Sequence, residues 1–436
     1  MKTKLKAITA FISAGLCALS FTACGVVGKS TLLGEPKAVE NVEYSALITD
    51  DYLAYKNSVE AFSADFAAQA YADYKKQDNF TVSPISVYTA LALASECANG
   101  ETRAEILGAL GVTHEQLKTH FSTLYRSLEV EHKVGDGITG MLDLTNSIWV
   151  NEGTQVKQPC IESLSNDYYA YSYSADFAHS NAEANQAVRD FVSKQTRGLI
   201  DRNFELSADT LFTLINTLYL KTVWFDDGRD LQFASDSYDF TAKDGSVKKT
   251  HLLMGMYNSG RVVEFDTFNT FYTRTYDGYE IKFILPKDGY TVDQVFSAEN
   301  IVAVNSITDY NAYDYSEMKH YTTRVLFPEY KCKYDGNIID ALQDKFGIKS
   351  LFNPSSCDFS TLTDKSCYCG QIRHVTDLTV NRKGIEGAAV TVEKLNGSPA
   401  SPFEIVREEF IVNKAFGFVI TDRYDTTLFS GVVNNI

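Results

Sequence analysis

The sequence predicts a single large α+β domain. Apolar residues recur at helical spacing between Tyr52 and Tyr74. A nearly continuous apolar run fills Leu211–Leu220, as in a strand covered on both faces. No internal repeat and no linker interrupts the chain after position 45, so helices and strands share one body. The chain of 436 residues is long enough for a sizeable core. Its 26 Tyr and 27 Phe against 8 Pro favour strands.

Taken in order, Tyr55, Val59, Phe62, Phe66, Ala70 and Tyr74 mark one amphipathic helix. Phe80 and Val82 suggest a short strand. Ser83 then offers an N-cap and Pro84 a first helical residue. The helix Ile85–Ala98 is apolar nearly all round and should be buried. A helix from Thr102 to Leu110 ends at Gly111. Asn146–Val150 reads as a strand, Tyr168–Phe177 as a Tyr-rich run, and Asn185–Gly198 as a helix with Val188, Phe191 and Val192 on one face. Tyr279–Leu285 alternates before the turn at Pro286–Gly289, and Arg324–Tyr330 is a further strand. Ile338–Phe346 reads as a helix stopped by Gly347. Phe416–Ile420 and Thr427–Val433 form a closing pair around a turn at Asp422–Asp425.

The N-terminus carries an address. Lys2, Lys4 and Lys6 precede an apolar segment, Ala7–Phe21, too short to span a membrane as a mature helix. Small residues then precede Cys24. This resembles a bacterial lipoprotein signal, with Cys24 as the lipidated first mature residue. Ordinary secretion with cleavage near Ala23 is the alternative. The expected layout is a signal peptide over 1–23, a tether over 24–45 and a folded domain over 46–436, at the cell surface or secreted. The formal net charge of −16 argues against nucleic acid, heparin-like chains or anionic membrane as the main ligand. Cys97, Cys160, Cys332, Cys357, Cys367 and Cys369 remain in the domain at spacings that give no disulfide framework, and are expected to be mostly reduced.

No enzyme constellation is present. Gly28-Lys29-Ser30 ends like a phosphate loop, but Ala23 stands where its first Gly is needed. There is no H-E-x-x-H, G-x-S-x-G or G-x-G-x-x-G, and the seven histidines are scattered. Ser398, in Gly397-Ser398-Pro399, has no nearby base and reads as a turn. No cofactor, no metal and no catalytic residue are expected.

Asn79-Phe80-x-x-Ser83-Pro84-x-Ser86, Ala90-Leu91, Gly100-x-Thr102, Leu214–Lys221 with Trp224, Leu285-Pro286-Lys287, Phe327-Pro328, Asp358-Phe359-Ser360 and Phe429–Asn434 follow one another in that order. In these motifs the chain resembles the serpin family, from about residue 50 to the end. The resemblance implies a serpin fold of three β-sheets with eight or nine helices and an exposed reactive-centre loop. It also implies a monomer that forms a covalent complex with a target serine protease. The protease cleaves the loop, and the hinge half inserts into the central sheet before water can release the acyl-enzyme. A serpin fold without inhibition, used for binding or as a scaffold, is the alternative.

The organising stretch is Val380–Thr391, which composition alone would read as a surface turn. In the resemblance it is the hinge: Arg382, Lys383, Gly384, Ile385, Glu386, Gly387, Ala388, Ala389, Val390 and Thr391. Arg382 stands where Glu is usual, which should change a salt bridge at the insertion point. Ile385 stands where Thr or Ser is usual, which should slow insertion. Asn79, Ser83, Pro84, Ser86, Asn216, Trp224 and His374 resemble the residues over which the sheet parts, with His374 buried and structural. Counting from both ends of the loop brackets the scissile bond among Gly397, Ser398, Pro399, Ala400, Ser401, Phe403 and Glu404. The small residues suit elastase-like proteases and Phe403 suits chymotrypsin-like ones. Lys394 and Arg407 are badly placed for trypsin-like ones.

Overall fold

The computed structural model describes residues 29–74, 78–134, 137–224, 230–307, 310–370, 372–385 and 403–436. Among them the helices are α1 (Asp50–Asp73), α2 (Pro84–Cys97), α3 (Gly100–Leu110), α4 (His114–Leu128), α5 (Gln158–Asn166), α6 (Asn181–Gln195), α7 (Val292–Val295), α8 (Ala298–Asn305) and α9 (Ile339–Asp344). Thr49 caps α1 by accepting the Tyr52 amide at 3.3 Å, and Asp50 and Asp51 face the positive end of the helix dipole. The inner face is the expected stripe, with Tyr55, Val59, Phe62, Phe66 and Ala70 buried. Tyr74 instead falls on the C-cap and is half-buried. Pro84 opens α2, which is buried almost throughout. Gly111, at φ +68°, closes α3 in the left-handed conformation that glycine adopts most readily.

The strands are β1 (Ser30–Gly34), β2 (Phe80–Val82), β3 (Val130–Val134), β4 (Gly137–Asn151), β5 (Ala170–Ala175), β6 (Phe212–Val223), β7 (Gln232–Thr241), β8 (Val247–Ser259), β9 (Val263–Glu264), β10 (Phe268–Arg274), β11 (Glu280–Pro286), β12 (Tyr313–Asp314), β13 (Lys319–Phe327), β14 (Tyr330–Asn337), β15 (Arg373–Asn381), β16 (Gly384–Ile385), β17 (Glu404–Ile411), β18 (Phe416–Thr421) and β19 (Thr427–Val433). They form three sheets, as expected. The largest runs β1-β5-β4-β6-β16-β15-β14, with β3 on β4. The second runs β2-β19-β18-β11-β10-β9. The third runs β12-β13-β8-β7, with β17 parallel to β13. Helix α2 packs on β6 of the first sheet and on β19 of the second, so the main core lies between those two sheets.

Two expectations need correction. The strand expected over Arg324–Tyr330 is split. Pro328 has no amide to donate, so β13 stops at Phe327 and β14 begins at Tyr330. The tether expected over 24–45 is partly sheet. Ser30, Thr31 and Leu32 pair antiparallel with Ala175, Ser174 and Tyr173. The edge of β5 offers a row of backbone donors and acceptors, and Leu32 packs on the cluster around Trp149 and Phe191. The six domain cysteines are free thiols, and Cys97 and Cys160 face each other at 4.0 Å.

Glu129 caps the end of α4, where its carboxylate accepts the Leu144 amide. Burial, reinforced by the nearby Asp143 charge, pushes its carboxyl up to about 8 from an ordinary value of 4.5. A carboxyl raised on folding stabilises at low pH, and that contribution is lost as pH rises through the folded value. Between pH 5 and pH 8, the Glu129→Gln protein is expected to lose several degrees less melting temperature than the wild type. Parallel melting curves for the two proteins would refute this assignment.

Candidate functional site

β6 and β15 flank the same seam in the largest sheet. Among the described residues only the two-residue strand β16 pairs with both. Gly384 lies opposite Val223 and Asn381, and Ile385 lies opposite Thr222 and Val380. Lower down the seam borders a cavity of about 80 Å³ lined by Val87, Leu91, Phe204, Phe212, Asn216 and His374.

The wedge is built by chemistry specific to each position. Gly384 has φ +143°, and a Cβ there would lie 2.0 Å from the Thr222 carbonyl oxygen. Only glycine lets the chain turn between the strands so closely. Ile385 is fully buried in the main core. Paired within the sheet, its side chain gains roughly 2 kcal/mol of apolar burial. Arg382 forms an ion pair, its Nε 3.2 Å from the Asp230 carboxylate. Both partners are partly exposed, so the pair is worth at most about 1 kcal/mol. Backbone bonds hold the turn more firmly. The Arg382 amide donates to Glu329 at 2.8 Å, and its carbonyl accepts the Leu231 amide at 2.7 Å. The Lys383 amide donates to the Asn381 side chain at 2.8 Å. Trp224, buried against Phe327, donates its indole N–H to the Asn381 carbonyl at 2.8 Å.

A row of buried polar groups crosses the seam lower down. The Ser83 hydroxyl meets Ser86 at 2.9 Å rather than capping α2, and the Ser83 amide donates to His374 Nε2 at 3.0 Å. Asn216 donates to Thr89 at 2.8 Å and to Asn146 at 2.6 Å. Asn79 sits apart from this row. It ties the C-terminus down by accepting the Asn434 and Asn435 amides and donating to the Asn435 carbonyl. Sequence reasoning missed Asn146, Thr89 and Thr376, whose hydroxyl donates to the Thr81 carbonyl at 2.6 Å. Asn146 stands directly opposite Asn216 in the β4–β6 register. The available clue was a lone Asn inside each of two apolar runs.

The hinge residues Glu386, Gly387, Ala388, Ala389, Val390 and Thr391 lie outside the described residues. So do the loop candidates Gly397, Ser398, Pro399, Ala400 and Ser401, and the lipidation candidate Cys24. Phe403 and Glu404 are described. Glu404 opens β17 opposite Lys319, and the Phe403 ring packs against Tyr313 and Tyr315. No described group of His, Cys, Asp and Glu side chains is arranged to hold a metal ion.

Among the described residues, β6 and β15 are thus joined through a two-residue strand above a buried His–Ser row. The serpin family model, described as serine protease inhibitor, matches residues 57–436. The chain belongs to the serpin family. Among curated relatives, mouse alpha-1-antitrypsin 1-3 is 26% identical over 90% of this serpin and 93% of its own length. An uncharacterized serpin-like protein of Thermococcus kodakarensis is 26% identical over 90% of each chain. Among solved structures, the thermophilic serpin tengpin in its native state aligns with a TM-score of 0.73 at 20% identity, over 93% of this chain and 100% of its own. Tengpin in the latent state aligns with a TM-score of 0.66. Serpins inhibit proteases in general, although some members do not.

His374 supplies a pH test of the seam. Burial lowers its pKa from 6.5 to about 4, and as an acceptor from Ser83 its Nε2 must be unprotonated. A histidine held neutral stabilises above the unfolded value, and the contribution is lost as pH falls from 6.5 towards 4. Of that, about 2 kcal/mol should be gone at pH 5. Acidification from pH 7.5 to 5 is expected to speed opening of the seam, read as hydrogen exchange of the β6 and β15 amides. The Glu329 contact, higher up, should stay protected. Equal acid sensitivity in His374→Gln would remove His374 from this role.

Proposed function

We propose that this serpin is a suicide-type inhibitor of serine endopeptidases of elastase-like or chymotrypsin-like specificity. The observation that carries the reading is β16, already in register between β6 and β15. The chain that follows it needs only to continue downward as a strand. In the reaction the protease serine oxygen attacks the scissile carbonyl carbon. The C–N bond breaks, the new amine takes the proton, and the hinge half stays bound to the protease as an ester. Residues 386 onward then extend β16. Each new backbone hydrogen bond contributes about 1 kcal/mol net, so a strand of about ten residues gains on the order of 10 kcal/mol. That gain carries the ester-linked protease away before hydrolysis, which makes the trap kinetic. Gly387, Ala388 and Ala389 are small enough to enter, and Thr391 suits a strand. The packing of Phe403 and the pairing of Glu404 favour a bond further back, Gly397–Ser398 or Ala400–Ser401.

Mixing the mature protein with pancreatic elastase or chymotrypsin should give a band at the summed mass that survives boiling in detergent. Ala389→Arg is expected to abolish that band and leave loop cleavage intact, because a charged side chain cannot be buried at the seam. Cleavage of the wild type by elastase, chymotrypsin and subtilisin with no such band would reject the inhibitory reading.

We further infer that the chain is exported and carries lipid on Cys24, as a monomer at the cell surface. The leader pattern at 1–23 supports this. Labelled palmitate should enter the wild type and not Cys24→Ser. No incorporation into the wild type would leave plain secretion as the better account.

A further inference from the structure

Exposed apolar side chains gather where the loop rejoins the body. Tyr313, Tyr315, Met318 and Ile405 are 46%, 75%, 45% and 45% exposed. Tyr313, His320 and Ile405 are cross-strand neighbours along one row of β12, β13 and β17, so they share a face. The His320 ring stacks on Tyr313 with centroids 4.4 Å apart. Tyr313 and Tyr315 lie 6.0 Å apart, and Phe403 meets both edge-on at 5.3 and 5.6 Å. The hairpin that displays Tyr315 is held in shape. Asp314 accepts from the Ser316 amide, the Ser316 hydroxyl and the Glu317 amide, at 3.0, 2.7 and 3.1 Å.

We propose that this aromatic patch is a second docking surface for the target protease, contacting it on the side that follows the scissile bond. The proposal rests on the inhibitory reading. Its first support is reach. From Gly397 to Phe403 there are six residues, which extend at most about 22 Å. A protease of about 220 residues has a radius of gyration of about 17 Å. A protease seated on any bond from Gly397 to Ser401 therefore reaches the patch. The second support is composition. Solvent-facing tyrosine and methionine beside an ordered turn are the anchors that protein interfaces favour, and ordering in advance lowers the entropic cost of docking. The third is charge. Asp314, Glu317 and Glu404 border the patch, and Lys319 is paired with Glu317. The fitting partner is a serine protease whose surface beside its substrate cleft is apolar with a basic border.

The test uses Tyr315→Ala and the double variant Tyr313→Ala/Tyr315→Ala, with unchanged melting temperature as the check on folding. The probes are active chymotrypsin and elastase, and the same enzymes with the nucleophilic serine replaced by alanine. The expected result is an association rate constant at least tenfold lower with the active enzyme, at unchanged stoichiometry, and a comparable loss of affinity for the inactive enzyme. Unchanged rate and affinity in both variants would overturn the proposal. So would unchanged rates together with loss of a wild-type dimer, since the patch would then join copies of this chain. Docking of the wild type on inactive enzyme without trapping of active enzyme would sink the inhibitory reading and leave the patch standing. No docking on either enzyme would sink both.

Discussion

Backbone hydrogen bonding across one seam governs this molecule. Strands β6 and β15 belong to the same sheet, but among the described residues they share only the two-residue strand β16. An amide or carbonyl on such an inner edge has less to gain from water than from another strand. Among the described residues the largest sheet is therefore joined across this seam through Gly384 and Ile385 alone. Gly384 makes that junction possible, because no other residue could bring the chain between Thr222 and Asn381. Ile385 holds it, since an isoleucine once buried in the core is costly to withdraw.

The polar row beneath the wedge sets the resistance. His374, Asn216 and Asn146 are linked across elements to a local cluster of Ser83, Ser86 and Thr89 on α2. Each bond is modest alone, yet breaking one leaves a buried donor or acceptor without a partner. The seam therefore parts only when several exchange partners together. The neutral state of His374 fits this arrangement, because a charged ring could not accept from the Ser83 amide.

Much of this was legible in the sequence. The helical stripe of α1, the Ser83-Pro84 start of α2 and the apolar β6 all depend on local pattern, and local pattern survives in one dimension. The pairing of Asn146 with Asn216 did not, because it is fixed by sheet register over 70 residues of chain. The burial of Ile385 was hidden for a related reason, because the pocket that receives its side chain is built from distant segments. The partners of Arg382 were hidden because Asp230 and Glu329 approach from two other segments. The edge strand β1 escaped notice because five residues of ordinary composition become a strand only when a free edge is waiting.

That edge strand changes the geometry of any anchoring. A tether running to position 45 would let the body swing tens of ångströms from a membrane. With Ser30 already fixed in the sheet, a lipid on Cys24 would leave six residues, at most about 22 Å of slack. The protein would then ride close to the bilayer with the β5 edge nearest it, and only proteases able to approach that surface would meet the loop. Leash length, rather than loop sequence alone, would filter which enzymes are met.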